Sequence, residues 1–197
     1  MKLIAPLLLL VLFMSGCAFT DAKLDIQYDG TLAKAGPLSE LRPMKIQVEP
    51  LKDHRPFLDR IGDKRNGYGM DCADIVTLTP VPDIMRDGLI AVFEKNGHTI
   101  TDQNPELVIS GSIEHFWFDS QMNFWTVEFM GTADLNLELK DPVTQSVFFE
   151  KQYSGHANQK LFSGYHKEVQ NVMEESLKIL MDRISMDSQL VEALNSH

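Results

Sequence analysis

The stretch Phe124-Trp125-Thr126-Val127-Glu128-Phe129-Met130-Gly131-Thr132-Ala133-Asp134-Leu135-Asn136-Leu137-Glu138-Leu139-Lys140 decides the fold. Trp125, Val127, Phe129, Ala133, Leu135, Leu137 and Leu139 fall on one parity, while Thr126, Glu128, Thr132, Asp134, Asn136 and Glu138 fall on the other. Successive side chains of a strand point to opposite faces, so one face of this segment is core and the other meets water or a partner. Upstream, Leu107 to Phe118 reads as a strand. Downstream, the Asp141-Pro142 turn returns the chain as a third strand from Val147 to Tyr153, which predicts an antiparallel meander.

Two amphipathic helices flank the meander. Pro82 and Asp83 open the first, with proline in the first turn and an acid at the positive end of the helix dipole, and Lys95-Asn96-Gly97 closes it. Met85, Leu89, Val92 and Phe93 form its buried stripe. In the second, over residues 164 to 184, Val169, Val172, Met173, Leu177, Leu180 and Ile184 recur at helical spacing, and Asp187 caps a short helical tail bearing Leu190, Val191 and Leu194. Ahead of the first helix, Lys45 to Glu49 alternates as a strand stopped by Pro50, and Asp74 to Thr79 is a further short strand. These elements predict an α+β, two-layer sandwich: an antiparallel or mixed sheet of about four strands with two amphipathic helices on one face.

The chain of 197 residues is 44% apolar and 23% charged, the composition of one ordinary globular domain. Its 28 acidic against 18 basic side chains give a formal charge of −10, which argues against a nucleic-acid partner. Of its two cysteines, Cys17 directly follows the leader. Met1 and Lys2 precede an apolar run from Leu3 to Met14, shorter than the about 20 residues a membrane-spanning helix needs. Met14-Ser15-Gly16-Cys17 follows and resembles a bacterial lipobox, in which the thiol receives diacylglycerol, the signal is cut before the cysteine and the new amino terminus is acylated. Each buried CH₂ adds about 0.8 kcal/mol, so several palmitate-length chains on one residue form a lasting anchor.

Residues 1–16 therefore read as a lipoprotein signal peptide, 17–43 as lipidated N-terminus and tether, and 44–197 as a periplasmic α+β domain. The tether carries Gly30, Gly36, Pro37 and Pro43 beside a short alternation at Leu24, Ile26 and Tyr28. As a flexible coil of about 25 residues it would reach roughly 28 Å. Ala18, in place of an Asp after the lipidated cysteine, favours the outer membrane over the inner one by analogy with enterobacterial lipoproteins. Cys72 is then left without a partner in the chain.

Residues that could carry chemistry have plainer roles. Gly62-Asp63-Lys64-Arg65-Asn66-Gly67 has the glycine spacing of a phosphate loop, but Tyr68-Gly69 stand where Lys-Ser/Thr would be needed. Asp53, His54 and Arg55 follow a strand-ending proline, where Asp53 is expected to cap the turn and pair with Arg55 rather than act as a base. Glu114 and His115 are adjacent in a strand and point apart. His166 and Glu168 share no helical face. Glu128, Asp134 and Glu138 alternate with core residues and read as a solvated face. The expectation is therefore no catalytic residue, no metal ligand and no cofactor.

The aromatic cluster His115-Phe116-Trp117-Phe118 and Phe124-Trp125 brackets a turn. Strict alternation gives Trp117 and Trp125 the core parity and sets Phe116, Phe118 and Phe124 on the opposite face. Those three are the candidate partner surface, with cover by a helix or by the tether as the competing account.

The lipobox, Ile75-Val76-Thr77-Leu78-Thr79-Pro80 leading into the first helix, the strand-rich middle, Tyr153 to Ala157, and the second helix followed by Asp187-Ser188 resemble the uncharacterised YajG-type lipoproteins of Gram-negative bacteria. Val48 to Arg55 is also similar to a strand-and-loop phrase of several periplasmic envelope lipoproteins. The resemblance covers most of the mature chain and implies a functional role for Cys17 alone. The expectation is a non-enzymatic lipoprotein that is membrane-held through Cys17, faces the periplasm and binds an envelope protein. The alternatives are an accessory subunit of an export or envelope-assembly complex and a hydrolase of envelope polymers.

Overall fold

The computed structural model describes residues 20–66, 68–122, 126–161 and 166–197, except for the side chains of Met122, Leu161 and His166. Cys17, Phe124, Trp125 and the signal segment lie outside them.

Strand β7 (Leu107–Met122) organises the molecule. On one side it pairs antiparallel with β8 (Val127–Lys140), which pairs antiparallel with β9 (Val147–Leu161), so the expected meander is present. On the other side three short parallel strands follow one another along it: β2 (Lys45–Val48) beside Leu107 to Ile109, β3 (Lys52–Asp53) beside Ser112 and Ile113, and β4 (Gly62–Arg65) at Phe118. β6 (Thr99–Ile100) extends the sheet beyond β2. Beyond β4 come β5 (Asp71–Thr77) and then β1 (Ala22–Leu24). Among the described residues the mixed sheet has nine strands, so the expected four understates it. The α+β class holds. The additional strands are mostly two to four residues long, too short to display a period of two.

Helices α1 (Val81–Lys95) and α2 (His166–Ser185) pack on the sheet and on each other, followed by α3 (Ser188–Ser196). Their apolar stripes are buried as the spacing predicts: Met85, Leu89, Val92 and Phe93 on α1, and Val169, Val172, Met173, Leu177, Leu180 and Ile184 on α2. Gly97, at φ +89°, ends α1 in a conformation glycine adopts without strain. Asp187 caps α3 by accepting from the Gln189 N–H, and it also accepts from Lys151 Nζ at 2.8 Å and from the Tyr153 hydroxyl at 2.5 Å. Burial pushes the Asp187 carboxyl up, but the bonds from Lys151 and Tyr153 outweigh it and hold the group below its ordinary value.

The segment expected to be a tether is structured over its described part. β1 pairs with β5, Leu78 N–H bonds to Leu24 O at 2.9 Å, and Ala22, Leu24, Ile26, Ala33 and Leu38 are buried in the core. Two 3-10 turns, Gly30–Leu32 and Pro37–Glu40, carry the glycines and prolines that read as flexibility. The described residues ahead of Met44 are therefore part of the packed domain and not a tether.

Candidate functional site

Between β3 and β4 the chain leaves the side of β7 and arches outward over residues 54–61. The arch is built on Arg55, whose side chain is buried. Its Nε and Nη2 fork onto Asp53 Oδ1 and Oδ2, both at 2.8 Å, and it donates to Arg60 O at 3.2 Å and Leu58 O at 3.4 Å. A bidentate pair with additional backbone acceptors fixes both the ion and the loop around it. The expected pairing of Asp53 with Arg55 is thus present. With both Asp53 oxygens held by the guanidinium, this carboxylate is a poor candidate for a base.

Beneath the arch β7 carries a β-bulge. The β7–β8 register shifts between Ile113 and His115, so Glu114 is the extra residue and the parity of everything after it reverses. Leu107, Ile109 and Ile113 point to the core, and so do Phe116 and Phe118, each 1% exposed. The Phe118 ring meets Phe129 edge-on at 5.1 Å. Phe116 and Phe118 therefore do not form a docking surface; they are core. Strict alternation failed because one inserted residue moves every later side chain to the other face. Phe124 lies outside the described residues.

The outward aromatic is Trp117, which lies against Phe57 of the arch with ring centroids 5.4 Å apart. The Arg60 guanidinium covers the Phe57 ring at 4.4 Å. Arg55, Pro56, Phe57, His115, Phe116 and Trp117 line a hollow of about 290 Å³, and Phe57 stays 44% exposed. On the other flank of the arch a hollow of about 380 Å³ lies between Arg60 and the start of α1, with Leu58 and Leu78 exposed at it. Arg55 lines both.

The bulge also turns His115 onto the outer face, where Nδ1 lies 2.9 Å from Oδ2 of Asp134. Asp134 is buried despite sitting on the face expected to be solvated. Its Oδ1 has no hydrogen-bond partner among the described residues. Glu114 lies 3.5 Å from His54 and accepts from Ser112 Oγ at 2.6 Å, so it and His115 have separate partners. The other strand carboxylates are tied individually: Glu128 accepts from Asn158, and Glu138 accepts from Ser110. Among the described residues no group of three or more His, Cys, Asp and Glu side chains is placed to hold a metal ion.

Of the glycine-rich phrase, Gly62 to Arg65 form β4, which pairs antiparallel with β5. Between β4 and β5, Asn66 Oδ1 accepts from the Tyr68 and Met70 N–H groups and Gly69 sits at φ +79°. Arg65 binds Asp119 at 2.7 Å and Asp71 at 3.0 Å, tying β4 and β5 to the end of β7. Cys72, half-buried on β5, donates its thiol to Lys64 O. No helix among the described residues is long and apolar enough to cross a membrane.

No known family model matches the chain, and no curated protein matches it in sequence. A solved structure shares its fold. A Xanthomonas campestris protein of the DUF330 family superposes with a TM-score of 0.62 at 14% identity, over 89% of this chain and 96% of that one. A minor lipoprotein of Acinetobacter baumannii matches at a TM-score of 0.45 and 12% identity, over 79% of this chain and 95% of that one.

Proposed function

We propose that the protein is a YajG-type lipoprotein, held at the outer membrane by acyl chains on Cys17, whose periplasm-facing domain binds another envelope component and catalyses no reaction. The observation that carries the reading is Met14-Ser15-Gly16-Cys17 directly after an apolar run too short to span a bilayer. The arch supports the binding half: a rigid, ion-paired loop presents Phe57 against Trp117 beside an apolar hollow, the kind of anchored aromatic patch that interfaces favour.

Intact mass of the protein purified from membranes tests the anchor. The expected mass is that of a chain starting at Cys17 with acyl chains added; a chain still starting at Met1, or an unacylated one, overturns it. Cys17→Ser should leave the protein unprocessed or release it from membranes. A photo-crosslinker placed at Phe57 is expected to capture an envelope component in cells, with the capture lost on Trp117→Ser.

A further inference from the structure

Strand β9 is 15 residues long and, among the described residues, pairs on one side only. From Phe149 to Leu161 it keeps unbroken register with β8, without the bulge or proline that blunts most edges of this length. The direction of its backbone groups follows from the rest of the sheet. Ile109 and Ile113 turn their carbonyls to the β2 and β3 side, accepting from Glu49 N–H at 2.8 Å and His54 N–H at 3.0 Å. Even residues of that part of β7 hence face β8, odd residues of β8 face β9, and odd residues of β9 face back. Glu150, Gln152, Ser154, His156, Asn158 and Lys160 direct their N–H and C=O groups to the free edge. The Arg183 guanidinium, donating to Ser154 O at 2.8 Å from outside, agrees with this assignment.

The side chains of that row are all polar, and its two charges sit at opposite ends with opposite signs. Laid antiparallel against itself about a twofold at Gly155, the row sets Glu150 opposite Lys160, Gln152 opposite Asn158, and Ser154 opposite His156. On the other face Tyr153 meets Ala157, a large side chain beside a small one. Sliding the pairing by one step in either direction, to a twofold at Ser154 or His156, separates Glu150 from Lys160. We propose that β9 is the interface for a second copy of this chain, a twofold dimer made by antiparallel β9–β9 pairing centred on Gly155. Six even-residue pairs form about twelve backbone hydrogen bonds and join two sheets into one. Arg183 stays bound, since a carbonyl oxygen accepts two bonds.

Sedimentation of the full-length protein in detergent, over a range of concentrations, tests the proposal without reference to the lipid reading. The wild type is expected to be a dimer. Glu150→Lys and Lys160→Glu each place like charges opposite one another twice per dimer and should weaken association about tenfold or more. The double variant E150K/K160E exchanges the partners and should restore it. His156→Pro removes an outward N–H without touching the β8 ladder and should yield single chains. A wild type that is monomeric throughout, a double variant no tighter than the singles, or a dimer that survives a folded His156→Pro overturns the proposal. If His156→Pro fails to fold, the charge exchange decides.

Discussion

Buried His98 shows how one side chain couples this fold to pH. Its Nδ1 accepts from the Met44 N–H at 3.3 Å, a role that only the neutral ring can fill there, and it packs 5.9 Å from the Phe93 ring. Burial lowers its pKa below the ordinary 6.5. Since the folded value lies below the unfolded one, the stability this group allows is fully present above pH 6.5 and is lost as pH falls through the folded value. Melting temperature should therefore decline on acidification below that pH, and His98→Asn should flatten that part of the profile. Residue-scale burial also separates the aromatics of β7. Phe118→Ala should cost about 3–5 kcal/mol in chemical denaturation. Trp117→Ala, outside the core, is expected to cost far less while disturbing the arch. The sequence could not make this distinction, because Glu114 looks like any other polar residue of an alternating strand, and what makes it a bulge is its pairing with a β8 that lacks the matching residue.

At the scale of elements, α2 crosses the sheet at two glycines. A Cβ built on Gly155 would stand 2.0 Å from Ser176 O, and one on Gly131 would stand 2.7 Å from Val172 O, so the helix backbone rests on the strands themselves. Gly155→Ala should force α2 off β9 and lower the melting temperature by many degrees, a loss of about 2 kcal/mol or more. Helix and strand periodicity were legible in α1, α2 and β8, while β7 was read with the wrong face past its bulge and β9 was expected to stop at Tyr153 rather than Leu161. The short strands were not, because β3 and β6, with two residues each, have no period and exist only through their pairing with β7 and β2. The arch was legible only in part. Asp53 and Arg55 could be paired from their spacing, but the meeting of Phe57 with Trp117 depends on where the arch lands on the sheet.

For the molecule as a whole, the lasting change is in its boundary. Glycines and prolines over residues 30–43 read as slack, yet they shape turns that lay Leu38 and Ala33 into the core. A chain shortened to begin at Met44 should therefore melt well below one beginning at Thr20, because it uncovers β5 and part of the helix layer. Ala22 pairs with Ile75 and Leu24 with Thr77, so β1 starts at the end of the sheet where β5 begins and Tyr68 is 91% exposed. The end of β7 lies there too, joined through Arg65 and Asp119. If Cys17 is held in a bilayer, the five steps from it to Ala22 reach at most about 18 Å, and this end lies towards the lipid.

That arrangement has a mechanical result. If Cys17 is held as proposed, a pull on it would reach the described domain at Thr20 and run along β1, which lies parallel to β5 and points away from the source of the pull. The load then slides one strand lengthwise along the other, so the β1–β5 bonds and the bond from Leu78 to Leu24 O share it and break together instead of one after another. Under such a load the sheet would be strained lengthwise before the domain is peeled open.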